Sequence, residues 1–454
     1  MEDLPFYRRP ISGRKVLRVT GSLVLAAAGC TLVFYAWHAR PLNVAAEFGI
    51  ETPAVPSPNA YDLYKQAHEA ITPSVGRKPV AQVLDYSASP GDAEDPKKYP
   101  LAAKISWLQQ NRAGWALFEQ ALGTQYVFPP IRSAQRDGYI NAPYFQRWLA
   151  KYMAVECEVL AAQGQSEKSV QRALNIWQMA LDSGHGAPLL VTLELSSAEI
   201  TARRALDGEI AHLNGAQAAR ATRLLEKLLA TREPYQDILQ EERDATLFQA
   251  KPLYESSVHQ ARQSKRIEEA AARGEYNVTL PTESAPELRG PLVNWTVRHL
   301  SNEYAHGMNF LIADAASAWP RRQTAPPADL EPRTTKFVGV LQKSRFLRAR
   351  TEALANLMLA RLALHAYRKD KGVYPPNLES LVPQYLNKVP RDPFSENKAL
   401  RYERVGRRYK LWSVGPDARD DNGQPAIHAA ARTPAGRYLV TAESSGDIVS
   451  NLSR

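Results

Sequence analysis

Residues 357–376 read LMLARLALHAYRKDKGVYPP, and they contain the change of pattern that sets the fold of the C-terminal part of the chain. Upstream of Gly372, apolar residues recur at the spacing of one helix face. The residues that share this face are Phe346, Ala353, Leu357, Ala360, Leu364 and Tyr367. The pattern predicts one long helix over residues 337–370, which Gly372 ends.

A proline-punctuated loop follows this helix, and two later stretches alternate in the manner of β-strands. Residues 400–402 and 409–417 flank a turn at Gly406 and predict an antiparallel hairpin. A final strand-like run is found at residues 438–441, and Asp447-Ile448-Val449 follows Gly446. Residues 336–454 are therefore predicted to form a small α+β domain, in which a helix is followed by an antiparallel sheet.

The order of short phrases in this domain resembles the globular head of the major pseudopilin of type II secretion (pseudopilin G). In that family, a helix ending in tyrosine, a charged residue, glycine and Tyr-Pro leads to Asp-Pro-aromatic and then to Ser-x-Gly-x-Asp-Gly. The matching positions are Tyr367, Asp370, Gly372, Tyr374, Pro375, Asp392, Pro393, Ser413, Gly415 and Asp417. Ala418 stands where the family has its last glycine. Neither Gly13 nor Gly21 precedes the glutamate pattern of a processed pilin, so the resemblance implies docking through the head rather than polymerisation.

The resemblance also implies a calcium site, because the family's head often binds calcium in the loop after the Ser-x-Gly-x-Asp strand. Calcium takes six to eight oxygen ligands. The residues that correspond to the site here are Ser413, Asp417, Asp420 and Asp421. Arg419 departs from an EF-hand pattern, and the alternative is a solvated acidic turn, since Asp, Asn and Gly favour turns.

Residues 61–319 show helical periodicity and predict a domain of helical hairpins, close to known helical-repeat periods. Four tryptophans of this domain are expected to fill its core, with a groove for a peptide or sugar as the alternative; they are Trp107, Trp115, Trp148 and Trp177. Residues 320–335 contain four prolines and predict a linker to the C-terminal domain.

The N-terminus predicts a membrane anchor. Residues 19–39, VTGSLVLAAAGCTLVFYAWHA, contain no charged side chain and have the length of one bilayer span. Basic residues dominate the tail at 1–18, which the positive-inside rule places in the cytoplasm. The prediction is a single-pass inner-membrane protein with residues 40–60 as a linker and the bulk of the chain in the periplasm.

Two other interpretations of this segment stay open. One is a cleaved signal peptide. The other is a lipoprotein signal, because Ala27-Ala28-Gly29-Cys30 resembles a permissive lipobox with Cys30 as the lipidated residue. All three interpretations export the remainder of the chain.

Composition and charge exclude several classes of protein. The chain has 454 residues, of which 44% are apolar and 23% charged, so extensive disorder and a multi-span membrane protein are excluded. Its two cysteines cannot build a disulfide scaffold. The formal net charge is +10, and the dense basic run KSRFLRAR at 343–350 is interpreted as a solvated helix face. Nucleic acid is therefore not expected as a partner.

Motifs for catalysis are absent from the sequence, which has no H-E-x-x-H, G-x-S-x-G or Walker pattern. Asp237, Glu241, Glu242 and Asp244 are interpreted as a charged helix face. The favoured function is a non-enzymatic envelope scaffold or interaction protein, accessory to a secretion or pilus-like apparatus. The alternatives are an envelope hydrolase with an acidic site in the helical domain and a helical-repeat peptide binder.

Overall fold

The computed structural model describes residues 30–40, 42–76, 78–80, 83, 100–130, 144–273, 289–317, 319, 325–396, 398–427 and 440–450. The chain is mainly helical with a small antiparallel sheet near its C-terminus, which confirms the predicted fold class at that level. It forms two compact units. The first comprises Met1–Glu51 and Leu247–Tyr304, and the second comprises Thr52–Thr246 and Ala305–Arg454.

The described helices, numbered in chain order, are α1 (residues 30–38), α2 (Val44–Phe48), α3 (Ala60–Ala70), α4 (Leu101–Gln110), α5 (Arg112–Leu122), α6 (Tyr144–Ala162), α7 (Ser166–Asp182), α8 (Leu189–Glu209), α9 (Gly215–Ala230), α10 (Tyr235–Phe248), α11 (Ala250–Ala272), α12 (Pro291–Ala315) and α13 (Pro332–Lys371). The described strands are β1 (Ser74–Val75), β2 (Lys78–Pro79), β3 (Arg401–Val405), β4 (Arg408–Ser413) and β5 (Ile448–Val449).

The second unit is built on successive helices α6, α7, α8 and α9, which pack side by side. Helix α7 buries the face that the sequence predicts, with Val170, Leu174 and Trp177 inside. Helix α9 begins with a capping box, in which Asn214 and Gln217 exchange hydrogen bonds between side chain and backbone. The apolar pattern of α7 and the capping of α9 are therefore contained within their own segments of sequence.

Helix α13 joins this array to the sheet. It packs against α9 and α8, and it also contacts β4. Pro332 lies in its first turn, where a missing N–H costs nothing. Gly372 ends the helix with φ +77° and donates its N–H to Arg368 O at 2.8 Å, as predicted. Gly215 lets α9 approach this end closely, because a Cβ there would overlap Asp370 Oδ1.

The C-terminal sheet has the order β3-β4-β5, and both pairs are antiparallel. Tyr402 pairs with Leu411, and Ser413 pairs with Ile448. The hairpin at Gly406 is confirmed, but the third strand is β5 and not the predicted run at 438–441. Residues 440 and 441 lie in a loop, while 438 and 439 lie outside the described residues.

Two predicted boundaries differ from what the structure describes. Helix α2 lies within the predicted linker at 40–60, and α13 begins within the predicted linker at 320–335. The apolar residues of α13 belong to the same hydrophobic core as the helical array. Residues 336–454 therefore share their core with the helices before them.

The predicted tail at 1–18 and residues 19–29 of the predicted span lie outside the described residues. Among the residues that are described, no helix has the length and apolar character needed to cross a membrane. Cys30 lies at the start of α1 and is exposed, whereas Cys157 is buried.

Candidate functional site

The centre of the C-terminal region is the fully buried carboxylate of Asp392. It accepts hydrogen bonds from Ser413 Oγ at 2.7 Å, from Val414 N at 2.8 Å and from Phe394 N at 3.0 Å. Burial raises the pKa of Asp392, although these hydrogen bonds oppose the rise. The Asp-Pro-aromatic phrase and the Ser-x-Gly phrase therefore meet in one hydrogen-bonded cluster.

The turn after β4 depends on backbone conformation. Gly415 has φ +71°, and a Cβ at this position would overlap the carbonyl oxygen of Gly446. Ala418, which replaces the glycine of the pseudopilin pattern, also lies in the left-handed region with φ +60°. Asp417 closes the turn, since its Oδ2 accepts from Gly446 N at 2.9 Å and its Oδ1 accepts from Arg419 N at 3.2 Å.

Asp420 is also bonded within this loop. Its Oδ1 accepts from Trp412 Nε1 at 2.9 Å, and its Oδ2 forms an ion pair with Arg401 Nε at 2.9 Å. Partial burial acts to raise the pKa of Asp420, but the hydrogen bonds from Trp412, Asn422 and Arg401 outweigh it and lower the pKa.

Asp447 is a further acidic residue that the sequence analysis did not select. Its side chain is 1% exposed and accepts backbone hydrogen bonds from Asp421 N at 3.3 Å and Gly423 N at 2.6 Å. Burial, together with the negative charges of Asp420 and Asp421, raises its pKa to about 6. The residue was missed because it lies beyond the loop in sequence and reaches it only through β5.

The predicted calcium ligands are thus neighbours, but their oxygens serve the loop itself. Ser413 donates its hydroxyl to Asp392, while Asp417 and Asp420 accept from backbone, indole or guanidinium N–H groups. Within the described part of the chain, no group of three or more acidic, histidine or cysteine residues is arranged to hold a metal ion. Calcium binding by Asp417, Asp420 and Asp421 stays a prediction of the resemblance.

The basic run at 343–350 is not a solvated face, so that interpretation is wrong. Arg345 is only 9% exposed and donates to Asp314 Oδ2 at 2.6 Å. Arg348 donates to Glu352 at 2.6 Å and to Glu233 O at 2.6 Å. The guanidinium groups of these two arginines therefore connect α13 to neighbouring elements of the same unit.

The acidic run on α10 is also partly internal. Glu242 is buried and accepts from Leu189 N at 3.0 Å, so it caps the first turn of α8. Asp244 is buried and forms an ion pair with Arg243 at 2.8 Å. The interpretation of these carboxylates as a charged outer face is wrong for Glu242 and Asp244.

The tryptophans of the helical array belong to its core. Trp107 and Trp177 are buried, and Trp115 and Trp148 pack partly buried against the core. Trp177 Nε1 also donates to Glu199 Oε2 at 2.9 Å. Glu199 in turn accepts two hydrogen bonds from Arg232, at 2.7 and 2.5 Å, in a buried bidentate ion pair.

The best candidate for acid–base chemistry is the group around His185. Its Nδ1 lies 3.1 Å from Asp182 O, and its Nε2 lies 3.6 Å from Glu233 Oε2. Burial raises the pKa of both carboxyl groups, Asp182 and Glu233. None of the three lines the cavities of about 320 Å³ between α7 and α9 or of about 360 Å³ between α9, α10 and α13. The carboxylates that do line these two cavities, Glu167 and Glu352, form ion pairs with Arg220 and Arg348.

Comparison with known proteins finds no similar protein. No protein-family model, curated protein or solved structure matches the chain.

Proposed function

We propose that this protein is a non-enzymatic envelope scaffold, anchored in the inner membrane and exported, that docks through its C-terminal sheet onto a secretion or pilus-like apparatus. The observation that carries the proposal is the exposed apolar surface of α1. Leu32 is 70% exposed, and Val33, Tyr35 and Trp37 are exposed beside it. Such a contiguous apolar surface is typical of a partner or membrane contact.

The same unit extends this surface beyond α1. Phe34 and Trp295 have ring centroids 6.2 Å apart, and Asn294 Nδ2 donates to His38 O at 2.9 Å. Leu292 is exposed on the same helix as Trp295. The charged group of Arg40 lies 4.9 Å from the ring of Trp37, an arrangement typical of the interface between lipid and water. These contacts support a membrane-facing surface formed by α1 and the first turns of α12.

The docking element is the tip of the β3–β4 hairpin. Val405 is 48% exposed, and Arg407 and Arg408 are exposed at the turn. The base of the hairpin is rigid, because Tyr409 is buried and packs on Tyr374 with ring centroids 4.7 Å apart. A rigid apolar tip with basic neighbours fits an acidic protein surface.

The covered face of α13 supports an accessory role rather than that of a pilus subunit. Its buried residues, among them Ala353, Leu357 and Leu364, pack within the core that α8 and α9 share. The basis of the proposal is a surface contact and not chemistry.

The test is affinity purification of the tagged full-length protein from native membranes in mild detergent. Deleting residues 336–454 would remove α13 and expose the core, so point variants are required. Val405→Glu and Arg407→Glu are expected to lose envelope partners, whereas Lys227→Glu on the exposed face of α9 retains them. A carbonate wash of the membranes checks the anchor separately. Identical partners in all variants would contradict docking through the hairpin tip. Release of the protein by the carbonate wash would contradict the membrane anchor.

A further inference from the structure

A small cavity lies between α7, α8 and α13 in the second unit. Its volume is about 40 Å³. The residues that matter for its chemistry are Trp177, Ser196, Arg203, Arg350, Thr351 and Leu354. Arg203 comes from α8 and Arg350 from α13, so the cavity brings together two cations that lie far apart in sequence.

Neither arginine forms an ion pair with a residue in the described part of the chain. Arg203 Nε is buried and has no hydrogen-bond partner there. Arg350 forms no ion pair or hydrogen bond with the described residues. Two carboxylates lie nearby, Glu199 in the lining of the cavity and Asp207 beside Arg203. Each already forms an ion pair, Glu199 with Arg232 and Asp207 with Arg361.

This arrangement is costly without a counter-charge. Burial lowers the pKa of both Arg203 and Arg350. The negative charge of Asp207 partly opposes the effect at Arg203, while the positive charges of Arg204 and Arg350 add to it. A buried charge is tolerated in proteins when it is paired and hydrogen-bonded. The pair of guanidinium groups therefore has unused donors, and its positive charge is only partly balanced.

The other polar groups of the lining do not compete for these donors. Ser196 Oγ donates to Leu193 O at 2.6 Å, and Thr351 Oγ1 donates to Leu347 O at 2.9 Å. Glu199 also lines the cavity, but its carboxylate already accepts hydrogen bonds from Arg232 and from Trp177 Nε1. The rest of the wall is apolar and includes Leu354. A site with guanidinium donors and apolar walls favours an anion and disfavours a cation.

We propose that Arg203 and Arg350 together bind an oxyanion, such as a phosphate group, in this cavity. The volume of about 40 Å³ exceeds the roughly 10–15 Å³ that a cavity needs to hold one water. The cavity therefore takes a single oxyanion group, either a small free anion or the end of a phosphomonoester. The anion bridges α8 and α13 and replaces the repulsion between the two side chains with attraction. This inference is independent of membrane anchoring and of the docking tip.

The test is calorimetric titration of the purified full chain with inorganic phosphate at constant ionic strength, with chloride as the reference anion. We expect saturable binding of phosphate, weakened at least tenfold in Arg203→Gln and in Arg350→Gln. Arg407→Gln, which removes an exposed arginine of the hairpin, is the matched control and is expected to bind as the native chain does. Glycerol 3-phosphate distinguishes a free anion from a phosphomonoester as the natural occupant. If it binds more tightly than inorganic phosphate, the occupant is a phosphomonoester.

Melting temperatures measured with and without phosphate provide a second, independent test. Without phosphate, each glutamine variant is expected to melt at or above the native temperature, because one of two like charges is removed. With phosphate, only the native chain and Arg407→Gln gain in melting temperature. No phosphate-dependent rise in the native chain, or an equal rise in the glutamine variants, would overturn the proposal.

Discussion

The carboxylate of Asp392 accepts the hydroxyl of Ser413 at 2.7 Å, across 21 positions of sequence. The same carboxylate accepts from two backbone N–H groups, so it connects the loop after α13 to the end of β4. All of these groups are buried. The relationship makes Asp392 a structural centre of the C-terminal region.

Replacing Asp392 by alanine is expected to lower the free energy of unfolding by roughly 2–4 kcal/mol. The substitution leaves buried donors without acceptors, and each unsatisfied donor costs about 1–3 kcal/mol. The total is expected to be smaller than the sum, because the surrounding structure relaxes in part. Ser413→Ala removes one donor and leaves the carboxylate its two backbone partners, so about 1 kcal/mol is expected. Urea denaturation of the full chain measures both values. Equal losses in the two variants would show that the carboxylate is not the centre of the cluster.

Ala418 has φ +60°, a conformation that costs an L-residue other than glycine about 1–2 kcal/mol. Ala418→Gly is therefore expected to raise stability by up to about 1 kcal/mol, after the larger entropy of glycine in the unfolded chain is subtracted. Ala418→Val is expected to act in the opposite direction, because β-branched residues tolerate this region least. Melting temperatures of the two variants provide the comparison, and a shift of the same sign in both would refute the argument.

Asp447 predicts a pH dependence of stability. Its pKa is about 6 in the folded chain against an ordinary value of 3.8, so between these pH values the folded state binds a proton that the unfolded state lacks. The contribution of this group to stability therefore rises as pH falls from 7 through 6. The stability difference between the native chain and Asp447→Asn should grow in favour of the native chain from pH 7 to pH 5. Glu443→Gln, at an exposed site near the same loop, is the control and should show no such trend.

The buried pair of Glu199 and Arg232 predicts strong non-additivity. Glu199→Gln leaves a buried guanidinium without its counter-charge and is expected to cost roughly 3–5 kcal/mol. Replacing both residues by methionine is expected to cost much less than the sum of the single replacements, since no charge is then left unpaired. A double-mutant cycle by chemical denaturation measures the coupling. Additive single effects would mean that the pair contributes nothing beyond packing.

Calcium binding rests on the resemblance alone, and it can be tested on the full chain. The resemblance predicts that millimolar calcium raises the melting temperature relative to chelator, and that Asp417→Asn and Asp421→Asn reduce the rise. Asp329→Asn serves as the control for an exposed carboxylate. An unchanged melting temperature in calcium would leave these aspartates with the hydrogen-bonding role that they have in the loop.

Local patterns in the sequence were sufficient to predict the long helix, its end and the hairpin. The helix predicted at 337–370 is found at Pro332–Lys371, because apolar spacing and Gly372 act within the segment itself. The β3–β4 hairpin follows from alternation on both sides of Gly406 for the same reason. The helices of the array and their buried tryptophans also follow from their own periodicity.

Long-range packing decided what those elements touch, and no local pattern contains that information. Arg345 and Glu242 are residue types that usually lie on a surface, yet both are buried. Partners distant in sequence make this possible, because Asp314 balances the charge of Arg345 and Leu189 N donates a hydrogen bond to Glu242. Asp447 joins the acidic loop only because β5 pairs with β4. Arg203 and Arg350 face one cavity only because α13 packs on α8. The sequence by itself determined the elements, while the tertiary structure decided which charges were removed from water and which were left without a partner.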